Sequence, residues 1–509
     1  MKTRFMRPFL TLAVFACGMM WIAAPRPAEG ADPLRRRSAA EIGLQFGPQT
    51  TVITEPLTDE GYPDYVEFLN RRRRAGVKPE ENFWAAMWGA MGSVGRIPEP
   101  RRKQLELRLD VRIPAEPQIR ELTPIAARPG LSADLTEQMR TASARPWLPE
   151  DHPAIQRWLE ENETLLAAAT VAARRPKAYT PLFRAGGEPL VFQSFAHVEG
   201  ARTVARMLAC RSMRRIGEGD LDGAWSDLLS VVRIARHIQQ GELLAEWSLA
   251  ASVRRLAWAP LAEWLSVSPH SAEELRRKCE ELSAALVPRP LHEAVESERY
   301  LYLDFLLMLK SGNLLLESWI GGKGNWAANQ LVARGMDINA VLTRGNGTYD
   351  AVAAAMKHHR HESRVREMEA AVAPLGDAVR RVGTDHDLVA AMARSILHEP
   401  KTLLADFLTA HFISFGANSE EILTEDLART AVAKAAFQLR IAAAEGRDVA
   451  AEGEAALPGD PFSDASLKVI RTAERTIIYS VGRNGRDDGG NGYEDRSDTD
   501  DIRLILTWP

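Results

Sequence analysis

The stretch from Phe195 to Leu265 most constrains what this chain can fold into, because it reads as three consecutive helices joined by short glycine turns. The middle one is the clearest. Leu221, Trp225, Leu228, Val232, Ala235 and Ile238 recur at steps of four and three, which lays them along one face of an α-helix. Asp220 stands where an N-cap accepts a first-turn N–H, and Gly241 where a left-handed residue stops a helix. The preceding helix carries Val204, Leu208 and Ile216 on its core face, with Arg206, Arg211, Arg214 and Arg215 expected on the surface. The following one is apolar nearly all round (Leu244, Trp247, Leu249, Ala250, Val253, Leu256, Trp258), as a buried helix is. Pro260 is expected to kink or end it.

The turn Gly219-Asp220-Leu221, with Ala224 and Leu228, resembles the inter-helix turn of a tetratricopeptide repeat. The signature does not recur at a spacing of about 34 residues, so it implies one hairpin rather than an array.

The N-terminus has the form of a secretory signal: Lys2, Arg4 and Arg7, an apolar run from Phe9 to Ala24, then Ala28-Glu29-Gly30 with small residues where a signal peptidase cuts. Sixteen apolar residues are short for a span of about 20, so export with no transmembrane helix after cleavage is expected. The destination is the periplasm or the exterior. With a net charge of -4 and a pI near 6.3, the chain has no basic excess to bind nucleic acid. Two cysteines remain after the leader, Cys210 and Cys279; an oxidising compartment permits one disulfide between them, but their helical, apolar settings favour two free thiols.

The domain reading is a signal peptide over 1–30, a disordered linker over 31–50, a helical domain over 51–417 and an α+β tail over 418–509. In the helical part, Phe83, Trp84, Met87, Trp88 and Met91 stack on one side of a helix. A long helix is expected from Pro153 to Arg175, with others near 271–286, 291–317, 348–372, 386–397, 401–415 and 419–445. The N-terminal block (Ile53-Thr54, Pro56-Leu57, Gly61-Tyr62, Asp64-Tyr65, Leu69-Asn70, Gly76-Val77, Pro79-Glu80, Asn82, Trp88) resembles that of a family of signal-peptide-bearing proteins of planctomycete bacteria. That resemblance implies a secreted, mostly helical protein and no particular activity.

The tail changes period. Leu467–Arg471 and Thr476–Val481 read as a hairpin, and Ile502, Leu504, Leu506 and Trp508 alternate as a third strand. Between them, Asp487, Asp488, Glu494, Asp495, Asp498, Asp500 and Asp501 face only Arg496. Carboxylates so dense must be solvated or share a cation, and glycines at 485, 489, 490 and 492 let the backbone fold tightly around one. Calcium, which takes six to eight oxygens in flexible geometry, suits such a loop. A helix, then Asp460-Pro461-Phe462, a hairpin ending in Ser480-Val481-Gly482 and a glycine-aspartate loop resembles the soluble half of the major type II secretion pseudopilins. That family's loop binds calcium. The metal ligands expected are Asn484, Asp487, Asp488, Asp500 and Asp501.

His358, His359 and His361 form the densest imidazole cluster, with His358 and His361 on one helical face. Lys357, Arg360, Arg364 and Arg366 around them repel a cation. No G-x-S-x-G elbow, P-loop or dinucleotide glycine pattern is present. The sequence therefore points to a mainly α protein, an irregular helical bundle with one tetratricopeptide-like hairpin and a small C-terminal antiparallel β region. The expected function is non-enzymatic binding or assembly with protein partners in the cell envelope. The alternatives are an extracytoplasmic hydrolase with a dispersed site and a component of the secretion or envelope apparatus.

Overall fold

The computed structural model describes residues 36–507 except 96, 124–133, 185–188, 194, 288, 313–334, 383–400, 448–456 and 464. The leader, the helix expected at 386–397 and Trp508 lie outside the described residues. Fifteen α-helices are described: α1 (Tyr65–Arg74), α2 (Phe83–Met91), α3 (Glu99–Leu109), α4 (Leu135–Ala142), α5 (Pro153–Glu161), α6 (Glu163–Ala173), α7 (Ala196–Gly217), α8 (Leu221–Gln239), α9 (Leu244–Arg255), α10 (Trp258–Val267), α11 (Ala272–Ala285), α12 (Leu291–Ser311), α13 (Ile338–Ala355), α14 (His361–Val382) and α15 (Lys401–Ala444). Strands β1 (Lys468–Arg471), β2 (Arg475–Ser480) and β3 (Ile502–Thr507) form one antiparallel sheet in that order. The protein is thus mainly helical with a small C-terminal sheet.

Helices α7 and α8 form the expected hairpin. The Asp220 carboxylate accepts the Gly223 N–H at 2.9 Å, and Ser212 Oγ donates across to the Ala224 carbonyl at 2.9 Å. Trp225 is buried between Trp264 and Phe437, its indole N–H on Glu281 at 2.8 Å. Arg211, expected on the surface, is instead buried between the helices. It makes a bidentate pair with the fully buried Asp227, at 2.7 and 2.9 Å, and reaches Glu163. Its stem is apolar, so a guanidinium with two carboxylates to meet can go inside. Gly241 is not a left-handed stop, because α8 ends right-handed at Gln240. A Cβ at position 241 would lie 2.1 Å from the Glu246 carboxylate, so a side chain there would displace Glu246 from the Leu243 N–H that it caps. Pro260 sits in the first turn of α10, where its missing N–H has no helical partner to lose; the break falls earlier, at Leu256-Ala257.

Two hydrophobic clusters organise the body. The first gathers α2, α6, α7, α8, α10 and α11. The second gathers residues 39–69 with α12 and α13. Helix α15 belongs to both, giving Leu408 and Phe412 to the second and Val432, Ala436 and Phe437 to the first. At 44 residues it is about 66 Å long.

Several expected boundaries move. The helices expected at 401–415 and 419–445 are one, so a domain boundary at 417/418 falls inside a helix. The sheet is not a separate unit either, since Leu467, Ile478, Leu504 and Leu506 belong to the first cluster, and the Thr507 N–H bonds Ser266 at 3.0 Å. The single helix expected over 153–175 is broken at Asn162, whose side-chain amide donates to the Trp158 carbonyl while its oxygen takes the Arg120 N–H. The helix expected at 348–372 is two, α13 and α14. The described part of the expected linker, 36–50, is packed rather than disordered. Ala39 is buried, the Arg37 N–H bonds the Ser311 carbonyl at 3.1 Å, and the Asn346 amide holds the Thr50 carbonyl at 2.7 Å.

Candidate metal centre

The loop from 481 to 501 closes the β2–β3 connection, and its start is fixed from outside. Asp460 accepts the Ser480 hydroxyl at 2.7 Å and the Val481 N–H at 2.9 Å, while also taking the Phe462 N–H in a local turn. Gly482 follows at φ +65°, and a Cβ there would meet the Asp500 carbonyl oxygen at 2.2 Å. Only glycine supplies both that φ and that space. At the far end the Asp501 N–H bonds the Asn491 carbonyl, and Thr499 donates to the Gly492 carbonyl. Residues 482–492 are thereby folded back on 499–501.

This folding brings Asp488, Asp500 and Asp501 together, each offering one carboxylate oxygen to a set lying within 4.8 Å of one another. Two oxygens bound to one calcium at about 2.4 Å can be at most about 4.8 Å apart. The spacing therefore fits a shared ion. Asp501 is 4% exposed, and its Oδ2 accepts the Gly490 N–H at 2.7 Å. Asp500 Oδ2 accepts the Asn484 N–H at 2.9 Å, and Asp488 Oδ2 accepts the Asp500 N–H at 3.2 Å. Oδ1 of Asp500 and Oδ1 of Asp501 are both buried with no hydrogen-bond partner. Among the described residues, none of the three carboxylates is ion-paired to a lysine or arginine. Burial pushes Asp501 up to about 6, and the charges of Asp488 and Asp487 add to it. Asp500 is raised by burial as well.

Two of the five expected ligands do other work. Asp487 receives the Tyr479 hydroxyl at 2.9 Å, the Gly489 N–H at 3.1 Å and Lys468 at 3.2 Å. Burial raises its carboxyl, but these three donors outweigh that and hold it below its ordinary value. Asn484 donates its amide to Asp488 at 2.8 Å and accepts the Arg486 N–H at 2.6 Å, so it holds the Asp488 carboxylate in place.

The cations that settle the outer carboxylates come from the strands. Lys468 of β1 meets Asp487, and Arg503 of β3 meets Asp495 at 2.6 Å. Inspecting 487–501 alone misses both. Alternation along the strands was the signal available, since Lys468 and Arg503 stand opposite Tyr479 in register. Asp460, also missed, was visible as an aspartate before Pro-Phe. Arg483 leaves the loop for α15, reaching Glu421 at 2.6 Å and Glu425 at 4.0 Å.

The histidine cluster does not assemble. His358 and His359 are exposed and precede α14, so they share no helical face with His361. His361 turns instead to the buried Glu420 at 3.0 Å, which also takes Arg364 at 2.8 Å. Cys210 and Cys279 are free, the first buried. Among the described residues no helix is long and apolar enough to cross a membrane. Comparison of the chain with protein-family models, curated proteins and solved structures gives no match.

Proposed function

We propose that this is an extracytoplasmic, non-enzymatic binding or assembly protein whose C-terminal loop is closed by calcium at Asp488, Asp500 and Asp501. The observation that carries the calcium reading is the convergence of three carboxylates around two buried, partnerless oxygens, none of the three being ion-paired to a lysine or arginine among the described residues. A hard divalent ion satisfies such oxygens, and glycine-rich backbone lets carbonyls complete its shell. The ion would join the start of the loop to its end and, through Arg483, hold it against α15. Such a clamp serves a protein that presents a surface to a partner in the cell envelope. Export is supported by the signal-like N-terminus, and outside the cell calcium modules work at dissociation constants of about 10⁻⁴–10⁻³ M.

Calorimetric titration with calcium tests the reading. Binding heat at one site is expected, with weak competition by magnesium, whose octahedral geometry is stricter. Asp488→Ala with Asp501→Ala should remove it. Absence of calcium heat, together with identical proteolysis of the 483–501 loop in calcium and in chelator, would overturn it.

A further inference from the structure

Three asparagines stand directly before a glycine in this chain: Asn346, Asn484 and Asn491. Such a step can cyclise, because the next backbone nitrogen can attack the side-chain Cγ and glycine puts no Cβ in its path. The fold treats the three steps differently. Asn346 is buried inside α13, its amide on the Gln49 and Thr50 carbonyls at 3.0 and 2.7 Å, and the Gly347 nitrogen belongs to the helix ladder. Asn491 donates its amide to the Asp488 carbonyl at 2.6 Å. The nitrogen that would attack it, on the buried Gly492, is committed to the Asp495 carboxylate at 2.9 Å.

Asn484 is the open one. It and Gly485 are both exposed, and the Gly485 N–H reaches only the Gly482 carbonyl, at 3.4 Å. A Cβ on Gly485 would find nothing within 4 Å, so the attacking nitrogen lies in open space. The Asn484 side-chain oxygen accepts the Arg486 N–H at 2.6 Å. That donor points at the atom on which negative charge develops when Cγ is attacked, as the donors of an oxyanion hole do.

We propose that Asn484 is a modification site, which deamidates without an enzyme ahead of Asn346 and Asn491 and so adds a carboxylate beside Asp488. The Gly485 nitrogen loses its proton to water and forms a bond to Cγ. The Cγ–Nδ2 bond breaks, and Nδ2 takes a proton from water and leaves as ammonia. A cyclic imide remains. Water then cleaves one of the two C–N bonds of the ring, giving aspartate or its isomer with the chain routed through the side chain. Nothing is oxidised or reduced, and either product carries one new negative charge. Because Asn484 donates to Asp488 at 2.8 Å, the conversion replaces a donor on that carboxylate by a charge. The consequence for the ion rests on the calcium reading above: a loop with one more carboxylate binds calcium more tightly.

The full-length chain, kept at mildly alkaline pH in chelator and digested at intervals, is followed by mass spectrometry of the three peptides. Conversion at Asn484 should be at least about tenfold faster than at Asn491, where freeing the Gly492 nitrogen first costs a hydrogen bond to a carboxylate. In urea the rates should converge, because the difference comes from the fold. Conversion at Asn484 no faster than at Asn491, or a ratio unchanged in urea, would overturn the proposal. In calorimetry, Asn484→Asp should bind calcium about tenfold more tightly than the wild type. Wild-type binding that the variant does not exceed would overturn the gain at the metal site. If neither protein binds calcium, the calcium reading falls, and the ratio of conversion rates still decides the modification.

Discussion

Asp227 in the α7–α8 hairpin and Asp501 in the tail loop are both buried aspartates, and burial pushes both carboxyls upward. They differ in what meets them. Asp227 is held by Arg211 and Arg215 at 2.7–2.9 Å, so the chain supplies its own counter-charges. Asp501 meets the backbone N–H groups of Gly490 and Asp488 and, among the described residues, no lysine or arginine. A buried charge answered from within belongs to the fold, whereas one left open asks for something from outside.

The sharpest break of that contrast is Asp227→Ala. It leaves Arg211 buried with only the exposed Glu163, and should cost about 3–5 kcal/mol. Chemical denaturation reads this, and the loss should be the same in calcium and in chelator. Equal sensitivity to calcium at both sites would erase the distinction between them.

Asp501→Asn should behave oppositely. In chelator it removes an uncompensated charge and should leave stability equal or higher. With calcium at ten times its dissociation constant, the wild type gains about 1.4 kcal/mol by linkage that the variant lacks. Melting curves of both proteins with and without calcium form the needed cycle. A variant that loses stability equally in chelator would show that Asp501 is satisfied by the protein alone.

pH sharpens the comparison further. The folded-state value of Asp501 is about 6, above its ordinary 3.8. The folded form therefore binds the proton more tightly than the unfolded one, and that contribution to stability is complete below 3.8 and lost as pH rises through 6. In chelator the protein should melt at lower temperature at pH 7 than at pH 4.5, once the Asp501→Asn profile has been subtracted. Calcium affinity should fall as pH drops below 6, because ligand carboxylates must be deprotonated. Affinity independent of pH between 5 and 7 would remove Asp501 from the ligand set.

The smallest effect is expected at Arg483→Ala. Its pair with Glu421 is largely solvent-facing and worth about 0.2–1 kcal/mol. The change should be seen as faster proteolysis of the loop rather than as a shift in global melting.

The hairpin was legible because its information is local: a cap at Asp220, one apolar face and a turn. The tail strands were legible for the same reason, through alternation at Ile502, Leu504 and Leu506. Arg211 was misread because its pattern is that of a surface residue, while the residue that draws it inward, Asp227, lies a helix away. The continuity of α15 was hidden by Gly416-Ala417-Asn418-Ser419, locally a breaker. Tertiary partners override it: Thr424 and Glu420 are tied to Arg364 of another helix. The site was half legible. Acidic density and glycines mark a loop that gathers carboxylates, but sorting Asp487 from Asp488 depends on Tyr479 and Lys468, which only strand register brings into place.

The span of α15 across both clusters sets the timetable of folding. A chain made from its N-terminus at about 5–20 residues per second completes α1 to α13 before the helix that caps both clusters exists. Between the end of α13 and the appearance of Phe437, roughly 4–16 seconds of synthesis, the apolar faces awaiting Phe412 and Phe437 have no partner in the nascent polypeptide. Neither half can finish first and shelter the other. The two clusters therefore close together, once α15 has been made.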